Sequence, residues 1–368
     1  MTFPSTIRGT GLLLLAAVLL PACTSSSSQE PAEPPRVSVT PEPDQQRVRV
    51  QVGGERFTSY LFDSRRQELA KPVLHPIHMA EGTSITRGYP INPRPGERVD
   101  HPHHIGHWLN YGDVNGLDFW NNTGEVPEEE RSEYGHIVHR SVEAAESGAG
   151  EGVLDVQMDW RGPDDETLLR EDTRFVFRAG PDRRVIDRVT RLTATDQRVE
   201  MTDNKEGFVA VRVRRELEHM PEGPVRIVGP DGTPMDEEVE HSEGVSGQYV
   251  NNDGVTGRAV WGQRSPWVLL KGVVEGDSVG VAILDHPKNV GHPTYWHARG
   301  YGLFSANPLG QSIFSEGEEQ LNFALGSGES VTFRYRILVL SGDPSPSTLR
   351  SEYDQWSRMN PSLADASE

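Results

Sequence analysis

Short runs in which apolar and polar side chains alternate are the feature that most limits how this chain can fold. The clearest is VTFRYRILVL (331–340), where every second residue from Val331 to Ile337 is apolar and the residues between them are Thr or Arg. Successive side chains of a β-strand point to opposite faces, so the pattern predicts a strand with one buried face. Short runs rich in β-branched and aromatic residues predict further strands at 47–52, 57–62, 153–160, 173–179, 184–194, 208–215, 267–274 and 278–284.

Gly, Asn and Asp fill the segments between these runs, as in GPDGTP (229–234) and NNDGVTG (251–257). Such segments are typical of tight turns between strands, and together with the runs they indicate some fifteen strands. So many strands can bury their apolar faces only if two sheets pack against each other or one sheet closes on itself. We therefore predict an all-β protein built as a large two-sheet β-sandwich. No repeat of fixed period is present, which disfavours a propeller or a solenoid.

One segment has a helical pattern instead. In PSPSTLRSEYDQWSRM (344–359), Leu349, Tyr353 and Trp356 recur at the spacing that places side chains on one side of a helix. Ser347 is a candidate N-cap for this helix. We expect it to close the fold at its C-terminal end.

The N-terminus has the composition of an export signal. Arg8 precedes an apolar run at 11–20 that is too short to span a bilayer and suits a secretory signal. Cys23 follows a small residue, as in a bacterial lipoprotein signal, where cleavage before the cysteine leaves its thiol to carry lipid. We therefore expect residues 1–22 to be removed and the chain to be lipid-anchored in the cell envelope, at the outer membrane. Cleavage without lipidation is the alternative.

The rest of the chain divides by composition. Residues 23–45 are rich in Ser, Pro and Glu and are predicted to be a disordered tether. Residues 46–358 are predicted to form a single β-sandwich domain, and residues 359–368 a disordered tail. Cys23 is the only cysteine, which excludes disulfides within the mature chain, so that any metal would need His, Asp or Glu ligands.

The charge of the chain limits its partners. It has 55 acidic and 36 basic residues, a formal net charge of −19. A surface so acidic repels polyanions, which argues against nucleic acid or anionic lipid as a partner. We expect contact with the membrane only through lipid on Cys23.

The strongest functional signal is the segment DHPHHIGHWLNYGDVNGLDFW (100–120). It holds four of the 13 histidines, which are His101, His103, His104 and His107. Pro102 and three glycines exclude a regular helix, so His103 and His107 are not a helical zinc pair. Imidazole also suits proton transfer near neutral pH. A metal site, an acid–base site and a polar loop all remain open at this point.

Two later segments share this chemistry. Residues 285–310 repeat the Asp-His-Pro tripeptide of 100–102 and add further His, Trp and Arg side chains. Residues 203–206, Asp-Asn-Lys-Glu, directly precede a predicted strand and contain one of the few lysines. We expect the three segments to line one cleft at the ends of strands. Unrelated polar loops are the alternative.

The runs DHPHHIGHWLNYGDVNGLDFW, TDNKEGFVAVRV and DHPKNVGHPTYWHARGYGLFSANPLG resemble the PmoA family of exported bacterial proteins, over residues 48–342. Some members carry the label methane oxygenase. We do not expect methane oxidation here, because no run of about 20 apolar residues follows Cys23. The resemblance implies a place among sugar-degrading, sugar-oxidising and polysaccharide-utilisation functions. A β-supersandwich like that of galactose mutarotases is the fold expected from this length and strand count.

The leading hypothesis is therefore an envelope-anchored carbohydrate-active protein: a sugar epimerase, lyase or hydrolase that uses His and carboxylate acid–base chemistry. His101 or His103 would act as acid, and Glu206 or Asp203 as base. The side chains expected to bind the substrate, with the tryptophans stacking on sugar rings, are His104, His107, Trp108, Asp118, Trp120, Lys205, His286, His292, Trp296, His297 and Arg299.

Two other functions remain open. One is an enzyme that depends on a divalent metal, with His101, His103, His104 and His286 as ligands. The other is a sugar-binding lipoprotein without catalysis, in which the same aromatic side chains bind but no base is placed.

Overall fold

The alternating runs fold into strands. The structure is a computed structural model that describes residues 1, 33–63, 66 and 68–363. Its strands, in chain order, are β1 (Arg36–Glu42), β2 (Arg47–Val52), β3 (Glu55–Leu61), β4 (Val73–Leu74), β5 (His107–Tyr111), β6 (His136–Ala149), β7 (Glu151–Arg161), β8 (Thr167–Gly180), β9 (Arg183–Ala194), β10 (Val199–Met201), β11 (Gly207–Arg212), β12 (Val225–Val228), β13 (Pro234–Val239), β14 (Gln248–Asn251), β15 (Trp267–Val274), β16 (Asp277–Asp285), β17 (Tyr295–Ala298), β18 (Leu303–Asn307), β19 (Phe323–Leu325) and β20 (Ser330–Ser341).

Helices are few and short. Two α-helices, α1 (Gln311–Phe314) and α2 (Pro346–Trp356), lie in the described part of the chain. Short 3₁₀-helices occur at Pro43–Gln45, Glu128–Glu133, Arg215–Leu217 and Gly257–Val260.

Sixteen of the strands form one sheet, in the order β14-β15-β16-β20-β9-β8-β7-β6-β1-β2-β3-β4-β5-β11-β18-β17. Two small sheets, β10-β19 and β12-β13, complete the described strands. The large sheet nearly closes, because Arg264, which follows β14 in the chain, forms a bridge with Tyr295 of β17. Closure covers strand edges that would otherwise expose unpaired backbone groups.

The main core lies between the two halves of this sheet. It combines inward-facing side chains from strands far apart in the sheet order, such as Val50 of β2, Phe177 of β8, Val211 of β11 and Ile337 of β20. The prediction of an all-β protein with a large β-sandwich and a C-terminal helix is confirmed.

Each half of the sheet also has a covered outer face. On the first, α2 packs Leu349 and Trp356 against an apolar patch that includes Trp267 of β15 and Leu338 of β20. Ser345 caps this helix by accepting a hydrogen bond from the Thr348 N–H at 3.2 Å, so the predicted N-cap, Ser347, is two residues late.

On the other half, a small apolar cluster lies on the outer face of β5, β11 and β18. It contains Trp108, Ala210 and Leu303, together with Trp120 from the segment that follows β5. Loop residue Ile105 joins the same cluster, which places the loop of residues 100–106 against this face. This face carries the candidate site.

Two predicted boundaries need correction. The tether was predicted to run through residue 45, but residues 36–42 form β1, which pairs with β2 and β6 and buries Val37 and Val39. The alternation of β1 is short and was masked by the surrounding Ser, Pro and Glu. The predicted tail from residue 359 also begins too early, because the carbonyl oxygens of Met359 and Pro361 accept hydrogen bonds from His286 and Arg334.

Other predictions concern residues outside the described part. The signal sequence, the lipidation of Cys23 and the last five residues of the predicted tail fall there and stay predictions. From Pro34 on, the described residues form one compact unit. No helix among the described residues is long and apolar enough to cross a membrane.

Candidate functional site

One row of side chains crosses four strands whose residues are distant in sequence. Trp108 of β5 pairs with Ala210 of β11, Ala210 with Ser305 of β18, and Ser305 with His297 of β17. Paired residues of antiparallel strands point to the same face, so this row lies on the face covered by the loop of residues 100–106. The sheet thereby brings His297 to the same surface as the histidine-rich segment.

Asp100 is fixed by two buried arginines. Its Oδ1 accepts hydrogen bonds from Arg87 Nη1 at 2.7 Å and from Arg212 Nη2 at 2.6 Å. Arg87 also donates to the backbone carbonyls of Asp100, His101 and His104, which holds the loop in place. Burial alone would raise the pKa of Asp100, but Arg212, His101 and Arg87 outweigh it and hold that pKa well below its usual range. Asp100 is therefore a permanent anion at neutral pH.

His101 is the histidine of this loop that reaches solvent. Its side chain is 39% exposed, and its Nδ1 lies 3.5 Å from Asp100 Oδ1. The imidazole is nearly parallel to the ring of Tyr301, at a centroid distance of 4.7 Å, and to that of His104, at 4.9 Å. His101 has a positive φ of 42°, which directs its side chain out of the loop.

His103 and His104 are buried behind it. Burial, followed by the neighbouring charges of Lys71 at His103 and of Arg212 at His104, lowers the pKa of both imidazoles well below the usual value. Both rings are therefore neutral at physiological pH. Nε2 of each has no hydrogen-bond partner among the described residues, and Nδ1 of His104 lies 3.3 Å from Arg212 Nη1.

Two further buried ionisable groups flank the cluster. Burial lowers the pKa of Lys71 to about 7, although Asp118 opposes the shift, and its Nζ donates to the carbonyl oxygen of His103 at 2.9 Å. Burial raises the pKa of Glu218 to about 7 against the opposing effects of Arg212 and Arg98. Both groups therefore change charge near neutral pH.

Glu206 enters the site from the turn before β11. Its Oε2 lies 3.9 Å from Nδ1 of His297, and its Oε1 accepts from Lys205 Nζ at 2.5 Å. Burial, with help from Arg299, lowers the pKa of His297 to about 3. Burial raises the pKa of Tyr301 to about 12; the charges of Glu206 and Asp100 add to this rise, and those of Arg212 and Arg299 oppose it.

A polar pocket of about 550 Å³ adjoins this cluster. Tyr301 belongs to both, since its ring packs on His101 and also lines the pocket. The other charged and aromatic side chains that line the pocket are Arg98, Glu222, Arg258, Trp261 and Arg299. This volume falls within the range typical of small-molecule sites.

The structure therefore brings together parts of all three predicted segments. His101, His103 and His104 come from the first, Lys205 and Glu206 from the second, and His297 and Arg299 from the third. Asp118 lies nearby in a different role: its carboxylate accepts from the backbone N–H groups of Trp120 and Asn121 and so holds a turn.

The predicted stacking of tryptophans on sugar rings is wrong. Trp108, Trp120 and Trp296 are at most 1% exposed. Trp108 and Trp120 pack beneath the loop, and Trp296 lies in the main core. His107 is also misplaced, because it pairs with Leu74 and Val211, faces the main core, and has a pKa that burial lowers to about 3.

Asp203 has a structural role rather than that of a free base. Its carboxylate accepts hydrogen bonds from the backbone N–H groups of Gln311, Ser312 and Leu321 at 2.8 to 3.1 Å. It thereby ties the turn before β11 to the start of α1. Three backbone donors thus hold this carboxylate in place as part of the fold.

The histidines around residue 290 lie elsewhere in the sheet. His286 contacts the C-terminal segment, with its Nε2 at 3.2 Å from the carbonyl oxygen of Met359. His292 lies between Asp285, at 2.7 Å, and the hydroxyl of Tyr353 on α2, at 3.3 Å. Both follow β16, which lies far from β5 in the order of strands in the sheet. The repeated Asp-His-Pro tripeptide therefore does not place His286 beside His101.

The predicted metal ligands are therefore not assembled as a set, since His286 is separated from the other three. No group of three or more His, Cys, Asp or Glu side chains in the described part of the chain is arranged to hold a metal ion.

Sequence reasoning did not assign Arg87, Arg212 and Lys71, which organise the cluster. The sequence did contain an indication for Arg212. It lies between Val211 and Val213 in a stretch where every second residue from Val209 is a buried valine, so its side chain points to the opposite face. Lys71 and Arg87 lie in irregular segments. Apolar and polar residues do not alternate regularly there, so the sequence does not predict that these two side chains are buried.

The family comparison bears on the chain directly. A model described as a family of unknown function, DUF6807, matches residues 47–354. The chain belongs to this family. The resemblance to the PmoA family is therefore wrong: residue types shared over three polar segments suggested it, and no match supports it. No curated protein matches the sequence of this DUF6807 member.

Several solved structures to which the chain is similar are carbohydrate-active enzymes, at low sequence identity. An α-galactosidase from Geobacillus stearothermophilus has 13% identity and a TM-score of 0.37, with 84% of this chain and 41% of that chain covered. The galactosidase domain of an α-galactosidase–sucrose kinase has 12% identity and a TM-score of 0.38, with 83% and 42% covered. A galactose 1-epimerase from Lactobacillus acidophilus has 7% identity and a TM-score of 0.35, with 84% and 98% covered. The chain thus spans about two fifths of the two galactosidase structures.

Proposed function

We propose that this protein is a carbohydrate-active enzyme in which His101 transfers a proton to or from the sugar. The observation that carries the proposal is the half-exposed imidazole of His101 beside a carboxylate that two buried guanidiniums fix. The imidazole adjoins a polar pocket through Tyr301. The proposal depends on this geometry and not on the distant structural likenesses.

Asp100 has the role of orienting and stabilising His101. Because its pKa is held well below the usual range, Asp100 stays negative while His101 gains or loses a proton. The fixed carboxylate of Asp100 lies beside Nδ1 of His101, which leaves Nε2 to exchange a proton with substrate. His101 replaces His103 as the preferred acid, because His103 is buried and neutral.

Glu206 and Tyr301 are the candidate partners in proton transfer. Burial raises the pKa of Tyr301 to about 12, so its hydroxyl stays protonated at neutral pH and can donate to a substrate oxygen. Glu206 is the carboxylate of the second segment that faces this cluster, whereas Asp203 is occupied by backbone N–H groups. We therefore assign the base to Glu206.

A sugar fits this site for two reasons. The wall of the pocket offers charged and hydrogen-bonding groups to several hydroxyls at once, and Trp261 adds aromatic surface to the same wall. Epimerisation, elimination and hydrolysis of sugars can each use an acid and a base, and the product formed identifies which of the three occurs.

The test is a product assay by NMR on a panel of mono- and oligosaccharides. We expect His101→Gln to lower kcat by at least about 100-fold, since general acid–base catalysis contributes about 10²–10⁴. His136→Gln is the matched control, because this histidine is partly exposed outside the site, near Asp165. Glu206→Gln should reduce kcat, whereas Asp203→Asn should act on stability.

Three results would contradict the proposal. One is full activity in His101→Gln. Sugar binding without product in the unmodified protein would favour a binding lipoprotein instead. Turnover that a chelator abolishes and a divalent metal restores would favour the metal-dependent alternative.

We also propose, from the sequence alone, that lipid on Cys23 anchors the protein in the cell envelope. Metabolic labelling with a fatty acid should mark the unmodified protein and not Cys23→Ser. Equal labelling of both would overturn this.

A further inference from the structure

We propose that the pocket beside His101 binds an acidic sugar, one whose ring carries a carboxylate or a sulfate group. This inference deepens the proposed function by naming the class of substrate. It begins from the charge of the wall, which has three arginines, Arg98, Arg258 and Arg299, against one glutamate, Glu222. Such a wall is unusual in a chain whose net charge is −19.

The three arginines differ in how far they are neutralised. Arg98 donates from Nε to the buried carboxyl group of Glu218 at 2.6 Å, so this contact already engages its guanidinium within the fold. Arg258 lies 3.2 Å from Glu222, whose side chain is 78% exposed. An ion pair so exposed to water contributes little to stability, and another anion can readily take the place of Glu222 beside Arg258.

Arg299 is the decisive residue, because no carboxylate among the described residues pairs with it. Its guanidinium lies 5.8 Å from the ring centre of Trp261 and 5.9 Å from that of Tyr301. Aromatic faces attract a guanidinium while leaving its N–H groups directed outward. These N–H groups match the two oxygens of a carboxylate or sulfate.

The backbone is shaped to admit Arg258. A Cβ added at Gly300 would lie 2.5 Å from Nη1 of Arg258. The same guanidinium donates from Nη2 to the carbonyl oxygen of Met220 at 2.7 Å, which holds it against the glycine. Glycine at position 300 therefore lets a second guanidinium approach the residue that follows Arg299.

Tyr301 joins this basic wall to the proton-transfer group. Its ring packs on His101, and the guanidiniums of Arg212 and Arg299 lie 4.9 Å and 5.9 Å from its centre. An anion held by Arg299 would place the rest of its sugar ring beside Tyr301, within the same site as His101. Pairing with arginine would fix the orientation of the ring as well as its charge.

The test is calorimetric titration of the mature protein with glucuronate, glucose 6-sulfate, glucose and acetate. We expect the anionic sugars to bind at least about tenfold more tightly than glucose, with an affinity that falls as salt rises. Arg299→Gln should remove this preference. Gly300→Ala should weaken it by displacing Arg258. Arg226→Gln, an arginine that donates to the Met235 carbonyl outside the pocket, should leave it intact.

Whichever anionic sugar binds more tightly identifies the anion. Equal binding of glucuronate and glucose, a preference that persists in Arg299→Gln, or acetate that binds as tightly as glucuronate would overturn the inference. Because His101→Gln should retain glucuronate binding, the two proposals fail separately. His101-dependent turnover of neutral sugars without a preference for acidic ones would refute only the substrate class. Arginine-dependent binding without turnover of any sugar would refute only the proposed catalysis.

Discussion

At the scale of single residues, the loop of residues 100–106 shows how backbone conformation selects one histidine. His101 has a φ of 42° and Gly106 a φ of 58°. A Cβ at Gly106 would lie 2.2 Å from the carbonyl oxygen of Leu74, so only glycine fits there. These positions turn the loop so that His103 and His104 face inward and His101 outward, a difference that their residue type does not encode.

Lys71 gives a residue-scale prediction about pH. Its pKa is about 7 in the folded protein and returns to its ordinary value near 10.5 on unfolding, so the unfolded state binds more protons between these values. Lys71 therefore makes the free energy of unfolding rise with pH above 7, by up to about 1.4 kcal/mol per pH unit. Below pH 7 Lys71 is charged in both the folded and the unfolded state, and the full free-energy cost of burying its charge lowers the stability of the folded protein.

Urea denaturation of Lys71→Met at pH 7 to 9 should show this rise reduced relative to the unmodified protein. Lys288→Met, at an exposed lysine, is the control and should keep the slope. An unchanged slope in Lys71→Met would mean that Lys71 stays charged in the folded state.

At the scale of elements, α2 shows how one helix closes an all-β fold. Its inner side buries Leu349 and Trp356 on strands β15, β16 and β20, and the Arg336 guanidinium lies 4.6 Å from the Trp356 ring centre. The alternation of β20 predicted one apolar face, yet Leu338 and Leu340 are buried on the opposite face because α2 covers it. The alternation of residues within a strand does not show whether another element packs on its second face.

The packing of α2 gives the element-scale prediction. Trp356→Ala should lower the free energy of unfolding by about 3–5 kcal/mol, since it removes a fully buried indole and leaves a cavity. Gln355→Ala, one residue earlier on the exposed side of the same helix, should change it by less than about 0.5 kcal/mol. Chemical denaturation measures both changes. If Trp356→Ala changed the free energy of unfolding as little as Gln355→Ala, α2 would not contribute to the core.

At the scale of the whole molecule, the site depends on the order of strands in the sheet. The row from Trp108 to His297 uses β5, β11, β18 and β17, which are adjacent in the sheet but separated by up to about 190 residues in sequence. The contacts that make the site are therefore long-range. They form only when the sheet itself is complete.

The start of the sheet gives a prediction at this scale. A chain beginning at Pro34 retains β1, whereas one beginning at Gln46 loses the strand that joins β2 to β6. We expect the shorter chain to melt at a clearly lower temperature, because β1 buries Val37 and Val39 and its loss exposes the edges of β2 and β6. Equal melting temperatures would support the original tether boundary at residue 45.

What the sequence by itself determined was local. Short runs rich in β-branched and aromatic residues identified β2 and β15 at their observed bounds and most other long strands within a few residues, because strand preference is a property of neighbouring residues. Residue chemistry likewise identified the loop of residues 100–106 and Glu206 as functional candidates. These features need no knowledge of which strands become neighbours.

Only the tertiary structure decided which candidates meet. It separated His286 and His292 from the cluster, buried the three tryptophans, occupied Asp203 with backbone N–H groups, and supplied Arg87 and Arg212 to fix Asp100. Burial and charge pairing depend on partners distant in sequence, and these set both exposure and protonation. For that reason the sequence indicated the residue types of the candidate site, while the fold determined that His101 is exposed there and that His103 and His104 are buried.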